Sequence, residues 1–211
     1  MRVLLALLLV SSPVAVLAED DSSPPRWSLG AGISTTYIYL YGSGTPGGLL
    51  GGSGPSGYAS LERRLSDASW LVLGLVGTIS EREQDSPGGG EKSRQEYRRL
   101  ALDLGLRRVV TRPGAVVDFS VLATVQGGYY EQLRTGSALT EQEDSALYVG
   151  GDVGFAVDRE LTEGLSVRVA TSVAGVTWQK IRTKVSGETL DGHELAANVF
   201  LAPRLELRLA F

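Results

Sequence analysis

Apolar and polar residues alternate along much of this chain with a period of two, most cleanly over its last eleven residues. There Leu205, Leu207, Leu209 and Phe211 fall on one side of an extended strand, and Arg204, Glu206, Arg208 and Ala210 on the other. Successive side chains of a strand point to opposite sides, so this pattern marks one apolar and one polar face. The same logic recurs upstream. Leu100, Leu102, Leu104 and Leu106 oppose Asp103, Gly105 and Arg107. Val117, Phe119, Val121, Ala123 and Val125 oppose Asp118, Ser120, Thr124 and Gln126. Leu147, Val149, Val153, Phe155 and Val157 oppose Tyr148, Asp152 and Gly154, while Leu165, Val167, Val169 and Val173 oppose Ser166, Arg168, Ala170 and Ser172.

The pattern predicts eight strands, near Trp27–Tyr37, Gly57–Leu65, Trp70–Ser80, Tyr97–Val110, Ala115–Tyr130, Ala146–Val157, Leu165–Lys180 and Leu195–Phe211. All but the second reach the roughly nine to eleven residues that a tilted strand needs to cross hydrocarbon. Short turns are expected at 66–69, 111–114 and 158–163, and long polar loops at 38–56, 81–96, 131–145 and 181–194. Short turns opposite long loops fit an outer-membrane barrel. Its wall must close, because lipid offers no partner for a free strand edge. The fold expected over residues 27–211 is therefore all-β: an eight-stranded antiparallel up-and-down transmembrane β-barrel with both ends on the periplasmic side. Two positions depart from the pattern. Pro203 removes a ladder hydrogen bond from the eighth strand, which implies a local bulge. Arg63 shares the outward parity of Ala59 and Leu61, a position tolerable near the periplasmic headgroups.

The aromatic residues add a second expectation. All eight tyrosines (Tyr37, Tyr39, Tyr41, Tyr58, Tyr97, Tyr129, Tyr130 and Tyr148) lie near the external strand ends with Trp178, and Trp27, Trp70 and Phe211 lie near the periplasmic ends. Amphipathic rings prefer the headgroup level, so two girdles are expected.

The amino terminus sets the compartment. Arg2 precedes an apolar run from Val3 to Val10, and Val16-Leu17-Ala18 forms a small-residue cleavage site. Residues 1–18 read as a secretory signal peptide cleaved after Ala18, and residues 19–26 as a polar periplasmic leader. The chain has no cysteine, which excludes disulfides and thiolate metal sites. A mean hydropathy of +0.03 suits a barrel whose alternate residues face lipid. The net charge of −4 argues against a nucleic-acid partner.

With these strands in place, the chain resembles the small eight-stranded outer-membrane barrels of the Gram-negative envelope, the group holding the OmpA transmembrane domain and the OmpX-like and OmpW-like proteins. The terminal run Leu205, Leu207, Leu209 and Phe211 resembles the strand signal read by that family's barrel-assembly machinery. The resemblance implies an outer-membrane location, contact with outer-membrane lipid and lipopolysaccharide, and a monomer. It says little about activity.

Inward parity gathers Glu62, Arg64, Asp103, Arg107, Asp118, Asp152, Arg168, Arg204, Glu206 and Arg208. Five acids and five bases inside a barrel just wide enough for side chains imply an ion-paired polar core. A narrow water path, or acid–base chemistry in the lumen, are the alternatives. The glycine-rich segment 42–57 matches the spacing of a dinucleotide loop, but Pro46, Pro55 and the following strand exclude the helix such a site requires. His193, the only histidine, points outward near the external rim. Lipid A 3-O-deacylases pair such a histidine with a serine two residues away, and here that position is Leu195. No residue pattern points to catalysis, a cofactor or a metal. Arg94, Arg98, Arg99, Lys180, Arg182 and Lys184 gather near the external rim, where lipopolysaccharide phosphates would lie. The expected role is a non-enzymatic barrel with envelope-structural or surface-interaction function. A porin-like narrow channel for small solutes is the alternative, and a lipid A-modifying enzyme a third reading.

Overall fold

The computed structural model describes residues 26–34, 38–43, 56–85, 92–111, 116–136 and 139–211. Nine strand segments run in chain order: β1 (Trp27–Ser34), β2 (Ile38–Ser43), β3 (Ser56–Ser66), β4 (Ser69–Asp85), β5 (Lys92–Val109), β6 (Asp118–Gly136), β7 (Leu139–Thr162), β8 (Leu165–Val185) and β9 (Glu188–Ala210). All pairings are antiparallel. β1 and β2 lie end to end along the same strand, β9, at Arg204–Ala210 and Ala197–Leu201 respectively. β1 also pairs with β3, which closes the ring β1-β3-β4-β5-β6-β7-β8-β9-β1. Counted as one stave, β1 and β2 make an eight-stranded barrel. Two reciprocal backbone hydrogen bonds between Trp27 and Phe211, both 3.0 Å, finish the seam.

The wall is taller than the apolar pattern suggests. Segments 81–96, 131–145 and 181–194, expected as loops, are mostly strand: β4 and β5 pair up to Asp85 and Lys92, β6 and β7 up to Gly136 and Leu139, and β8 and β9 up to Val185 and Glu188. Polar residues stay extended there because ladder hydrogen bonds, not apolar burial, hold a hairpin. Ser186 (φ 53°) and Gly187 (φ 85°) form the two-residue turn between β8 and β9, with the pair of positive φ angles that matches the strand twist. Of the glycine-rich segment, Gly42 and Ser43 belong to β2 and Ser56 and Gly57 to β3, while 44–55 lie outside the described residues. At the opposite end the turn at Asp67-Ala68 falls where expected, and residues 112–115 lie outside the described residues. The turn expected over 158–163 shrinks to Glu163 and Gly164, so Asp158 becomes part of the wall.

The outer surface carries the apolar band. Leu71, Leu73 and Leu75, Leu100 to Leu106 at even positions, Phe119, Val121, Val125, Leu147, Val149, Val153, Phe155, Val157, Leu205, Leu207 and Leu209 are all exposed outward. Val173 is a half-buried extra residue in β8, because Val153 pairs with Ala174 while Gly154 pairs with Ser172. A bulge reverses the parity of the strand beyond it. Ser172 is thus buried inward while Val176 and Trp178 are exposed outward and Gln179 is buried. On the other side of β8 the register shifts between Ser172 and Ala174, where β9 steps from Ala202 to Val199, next to Pro203. Gly154 faces this bulge. A Cβ there would collide with the carbonyl oxygen of Thr171, so only glycine permits the close approach.

The aromatic expectation needs correction. Tyr58, Tyr97, Tyr130 and Tyr148 are buried inside the barrel, not arrayed on an external girdle. Their parity is that of the inward polar residues, and Gly74 and Gly128 leave room beside the rings of Tyr58 and Tyr148. Tyr129 and Trp178 do face outward. The side chains of Tyr37, Tyr39 and Tyr41 lie outside the described residues. At the end where Trp27 and Phe211 meet, Trp27 faces outward with the guanidinium of Arg63 5.5 Å from its ring centroid. Trp70 is half-buried beneath Arg107, 5.1 Å from its ring centroid.

Candidate functional site inside the barrel

The lumen is layered. Nearest the end of the barrel that carries Trp27 and Phe211 lies a charge cluster built around Glu62 of β3, which has no exposed surface. Glu62 accepts from Arg107 of β5 at 2.9 Å, from Arg208 of β9 at 2.8 Å, and from Arg168 of β8. Arg168 also donates to Asp158 of β7 at 2.7 Å, and Arg208 to Glu206 at 3.0 Å. Three guanidiniums therefore face three carboxylates, drawn from five strands. Their remaining donors are met by hydroxyls: Ser120 accepts from Arg107 at 3.1 Å and Ser28 from Arg208 at 2.9 Å. Buried charges persist only when paired and hydrogen-bonded, and this cluster meets that condition at every carboxylate oxygen named except Oδ2 of Asp158, which has no hydrogen bond and lies 3.8 Å from Arg107.

A second layer lies toward the tall hairpins. Asp152 accepts from Ser172 at 2.6 Å and from Gln126 at 3.2 Å. Gln126 in turn accepts from Arg99 at 3.1 Å, and Arg99 donates to the Tyr148 hydroxyl at 2.7 Å. Arg204 packs 4.7 Å from the Tyr58 ring centroid and 3.8 Å from Asp103. Above these, Tyr97 and Tyr130 stack at 6.0 Å between centroids, in one apolar cluster with Tyr58, Val76, Ala101, Ala146 and Tyr148. Gln179 donates to Glu194 at 2.7 Å near the same level. A charged floor, a hydrogen-bonded middle and an aromatic upper layer fill the lumen with side chains.

Eight of the ten anticipated charges lie in these two layers: Glu62, Arg107, Arg168, Glu206 and Arg208 below, and Asp103, Asp152 and Arg204 above. Two do not. Arg64 is half-buried at the mouth beside the β3–β4 turn, where it donates to Asp67 of that turn at 3.0 Å and lies 6.0 Å from the Trp70 ring centroid. Asp118 is exposed at the start of β6 and accepts from Thr111 at 2.9 Å. Its expected place is taken by Asp158, which sequence reasoning misses because its polar surroundings read as a turn. Arg99 also belongs to the lumen, and its odd-numbered parity with Asp103 and Arg107 is the available signal. Of the remaining rim cations, Arg94 pairs with Glu81 and Glu96, Arg98 with Glu96, Arg182 with Asp191 and Lys184 with Glu143. Lys180 has no ion-pair partner among the described residues. His193 is exposed and pairs across the ladder with Lys180. No group of three or more potential metal ligands occurs among the described residues.

No protein-family profile matches the chain, and no curated protein matches it. Solved structures do. A major outer membrane protein from Thermus thermophilus is 14% identical, with a TM-score of 0.52 over 88% of this chain and 98% of that one. Neisserial surface protein A is 13% identical, with a TM-score of 0.47 over 88% and 97%. The outer membrane protease OmpT from Escherichia coli is 10% identical, with a TM-score of 0.41 over 90% of this chain and 98% of that one. The first of these likenesses shows the fold, an outer-membrane-type β-barrel. A fold of this kind hosts unrelated activities, so function has to be argued from the residues themselves.

Proposed function

We propose that the protein is a monomeric, non-enzymatic barrel of the outer membrane, closed to solutes, whose hairpins rise above the membrane as a surface-interaction platform. The layered filling of the lumen carries this reading. A solute path through eight strands would have to displace the Glu62 cluster, in which each carboxylate and guanidinium is already paired, and then the Tyr97–Tyr130 stack. An eight-stranded wall leaves no spare cross-section around them. The tall β4–β5, β6–β7 and β8–β9 hairpins support the surface half of the reading. They extend polar strand beyond the apolar band, and exposed ion pairs such as Lys184–Glu143 run along them. Leu205, Leu207 and Leu209 of β9, with Phe211 just after it, present one outward row, the arrangement that barrel-assembly machinery would engage. Residues 1–18 act as the export signal and 19–26 as the leader.

Planar-bilayer recording tests the closed lumen: the wild-type barrel gives no discrete conductance, and steady single-channel steps from it would overturn the reading in favour of a narrow channel. The non-enzymatic half is tested by mass spectrometry of lipid A from cells carrying the wild type or His193→Ala, where identical acyl patterns are expected and an acyl change that tracks His193 would establish an enzyme.

A further inference from the structure

We propose a binding site for a primary alkylammonium group in the cup formed by the inward faces of the β6–β7 and β8–β9 hairpins, held by Asp144 and Glu194 above the tyrosine layer. The inference deepens the surface-platform reading above and rests on it. Inward parity continues from the wall into these hairpins: it passes from Tyr148 to Asp144 on β7, reaches Gln179 and Ile181 on β8, and meets Glu194 opposite Gln179 on β9. Asp144, Glu194 and Arg134, from three different strands, all bear electrostatically on Tyr130 of the floor. Two carboxylates distant in sequence thus converge on one tyrosine.

Charge selects the ligand. Asp144 and Glu194 accept hydrogen bonds from neutral groups: Gln142 at 2.9 Å and Thr183 at 2.7 Å for the first, Gln179 at 2.7 Å for the second. Neither has a cation within ion-pair distance among the described residues, whereas Glu62, Glu206 and Asp158 deeper in the lumen each do. Arg134 is engaged by Gln132, which, with its amide turned to satisfy both ends, accepts from it at 2.8 and 3.0 Å. Arg99 lies one layer down, on Tyr148 and Gln126. Both carboxylates are only half-buried, so neither is sealed from water. A further feature is independent of charge. Gln179 is 3% exposed, and while its Nε2 donates to Glu194, its Oε1 has no hydrogen bond. A buried acceptor without a donor is costly. A primary ammonium supplies what the cup lacks: positive charge for two carboxylates, and N–H donors enough for a third oxygen. Its methylene stem fits against Ile181, which packs on the tyrosine cluster. A quaternary ammonium has no N–H to give Gln179, and a neutral polyol brings no charge.

Calorimetry on the full mature barrel in phosphatidylcholine nanodiscs tests the site, with empty discs subtracted and heat-modifiable gel migration confirming that each variant folds. Pentylamine is the probe, and pentanol and tetramethylammonium are its controls. Pentylamine should bind saturably, tetramethylammonium more weakly and pentanol not at all. Asp144→Asn and Glu194→Gln should each weaken pentylamine about tenfold, and the double variant should abolish its binding. Glu143→Gln, on the outer face of the same strand, should leave the affinity unchanged. Spermidine and acetyl-lysine amide then separate the two sources of such a group, a free polyamine and a partner protein's side chain, by which of them binds more tightly. Absence of saturable pentylamine binding, equal binding of pentanol, or wild-type affinity in the double variant would each overturn the site. The surface reading is tested apart from it: Asp144→Cys should react with an impermeant maleimide on whole cells. Failure there, with pentylamine binding intact, would overturn the placement of the hairpins and not the site.

Discussion

The floor of the lumen and the β8–β9 hairpin are both built from arginine–carboxylate pairs, yet the same chemistry does different work in each. Around Glu62 the charges come from five strands and are withdrawn from solvent, so each guanidinium depends on a partner that no water can replace. In the hairpin, Arg182 and Asp191 face each other on adjacent strands at 2.9 Å, but both are half exposed. Water and salt can substitute for either partner there, and exposed pairs contribute little to stability. Buried pairs differ: losing one partner is costly because the other is left charged in a dry interior. Position, not pairing distance, decides which bridge holds the molecule together.

Glu62→Gln should produce the largest effect, because it leaves Arg107, Arg168 and Arg208 facing one another without the shared acceptor. A loss of about 3–5 kcal/mol is expected in urea unfolding from lipid vesicles, and an unchanged midpoint would mean that the cluster is solvated. Next comes Gly128→Val, whose side chain would enter the space of the Tyr148 ring and the carbonyl of Leu100. Overpacking of this kind costs about 1–3 kcal/mol, read in the same experiment. Tyr148→Phe removes only the hydroxyl that accepts from Arg99, for about 1 kcal/mol. Smallest is Arg182→Ala, for which the unfolding midpoint should not move resolvably.

Its effect should appear in titration instead. The hydrogen bond from Arg182 holds the Asp191 carboxyl below its ordinary pKa. A carboxyl depressed on folding contributes stability above its unfolded value and loses it as pH falls through the folded one. Carboxyl NMR of Asp191 should therefore show the group titrating at higher pH in Arg182→Ala than in the wild type. An unmoved titration would mean the pair does not form in solution.

The two regions also differ in how far they can be read from sequence. The floor is legible because strict alternation assigns a side to every residue once one face is known: Arg168, Glu206 and Arg208 share parity within strands whose other face is leucine and valine, and Glu62 opposes Leu61 and Leu65. Asp158 escapes because a strand does not announce where it stops; Arg159, Glu160 and Thr162 look like a turn and are paired β-structure. The hairpins are illegible for the same reason at the other end, where the apolar signal ends but the ladder continues. Trp178 is a separate lesson. Unbroken alternation from Leu165 would turn it inward, and only the extra residue at Val173 faces it outward. For the buried tyrosines, chain position near a strand end misleads where parity does not, since Tyr130 and Tyr148 share theirs with Gln126 and Asp152.

Site-directed chemistry along β5 tests the central claim, a closed barrel with lipid outside and paired charge within. The chain has no native cysteine, so single cysteines at each position from 100 to 107 report without background. In membranes, cysteines replacing Leu100, Leu102, Leu104 and Leu106 should react with a lipid-dissolved probe and resist a water-soluble maleimide. Those replacing Ala101, Asp103, Gly105 and Arg107 should resist the lipid probe. Such a period of two is the result expected of this barrel. Uniform labelling from water at all eight positions, or recovery of the protein as a soluble species, would contradict it.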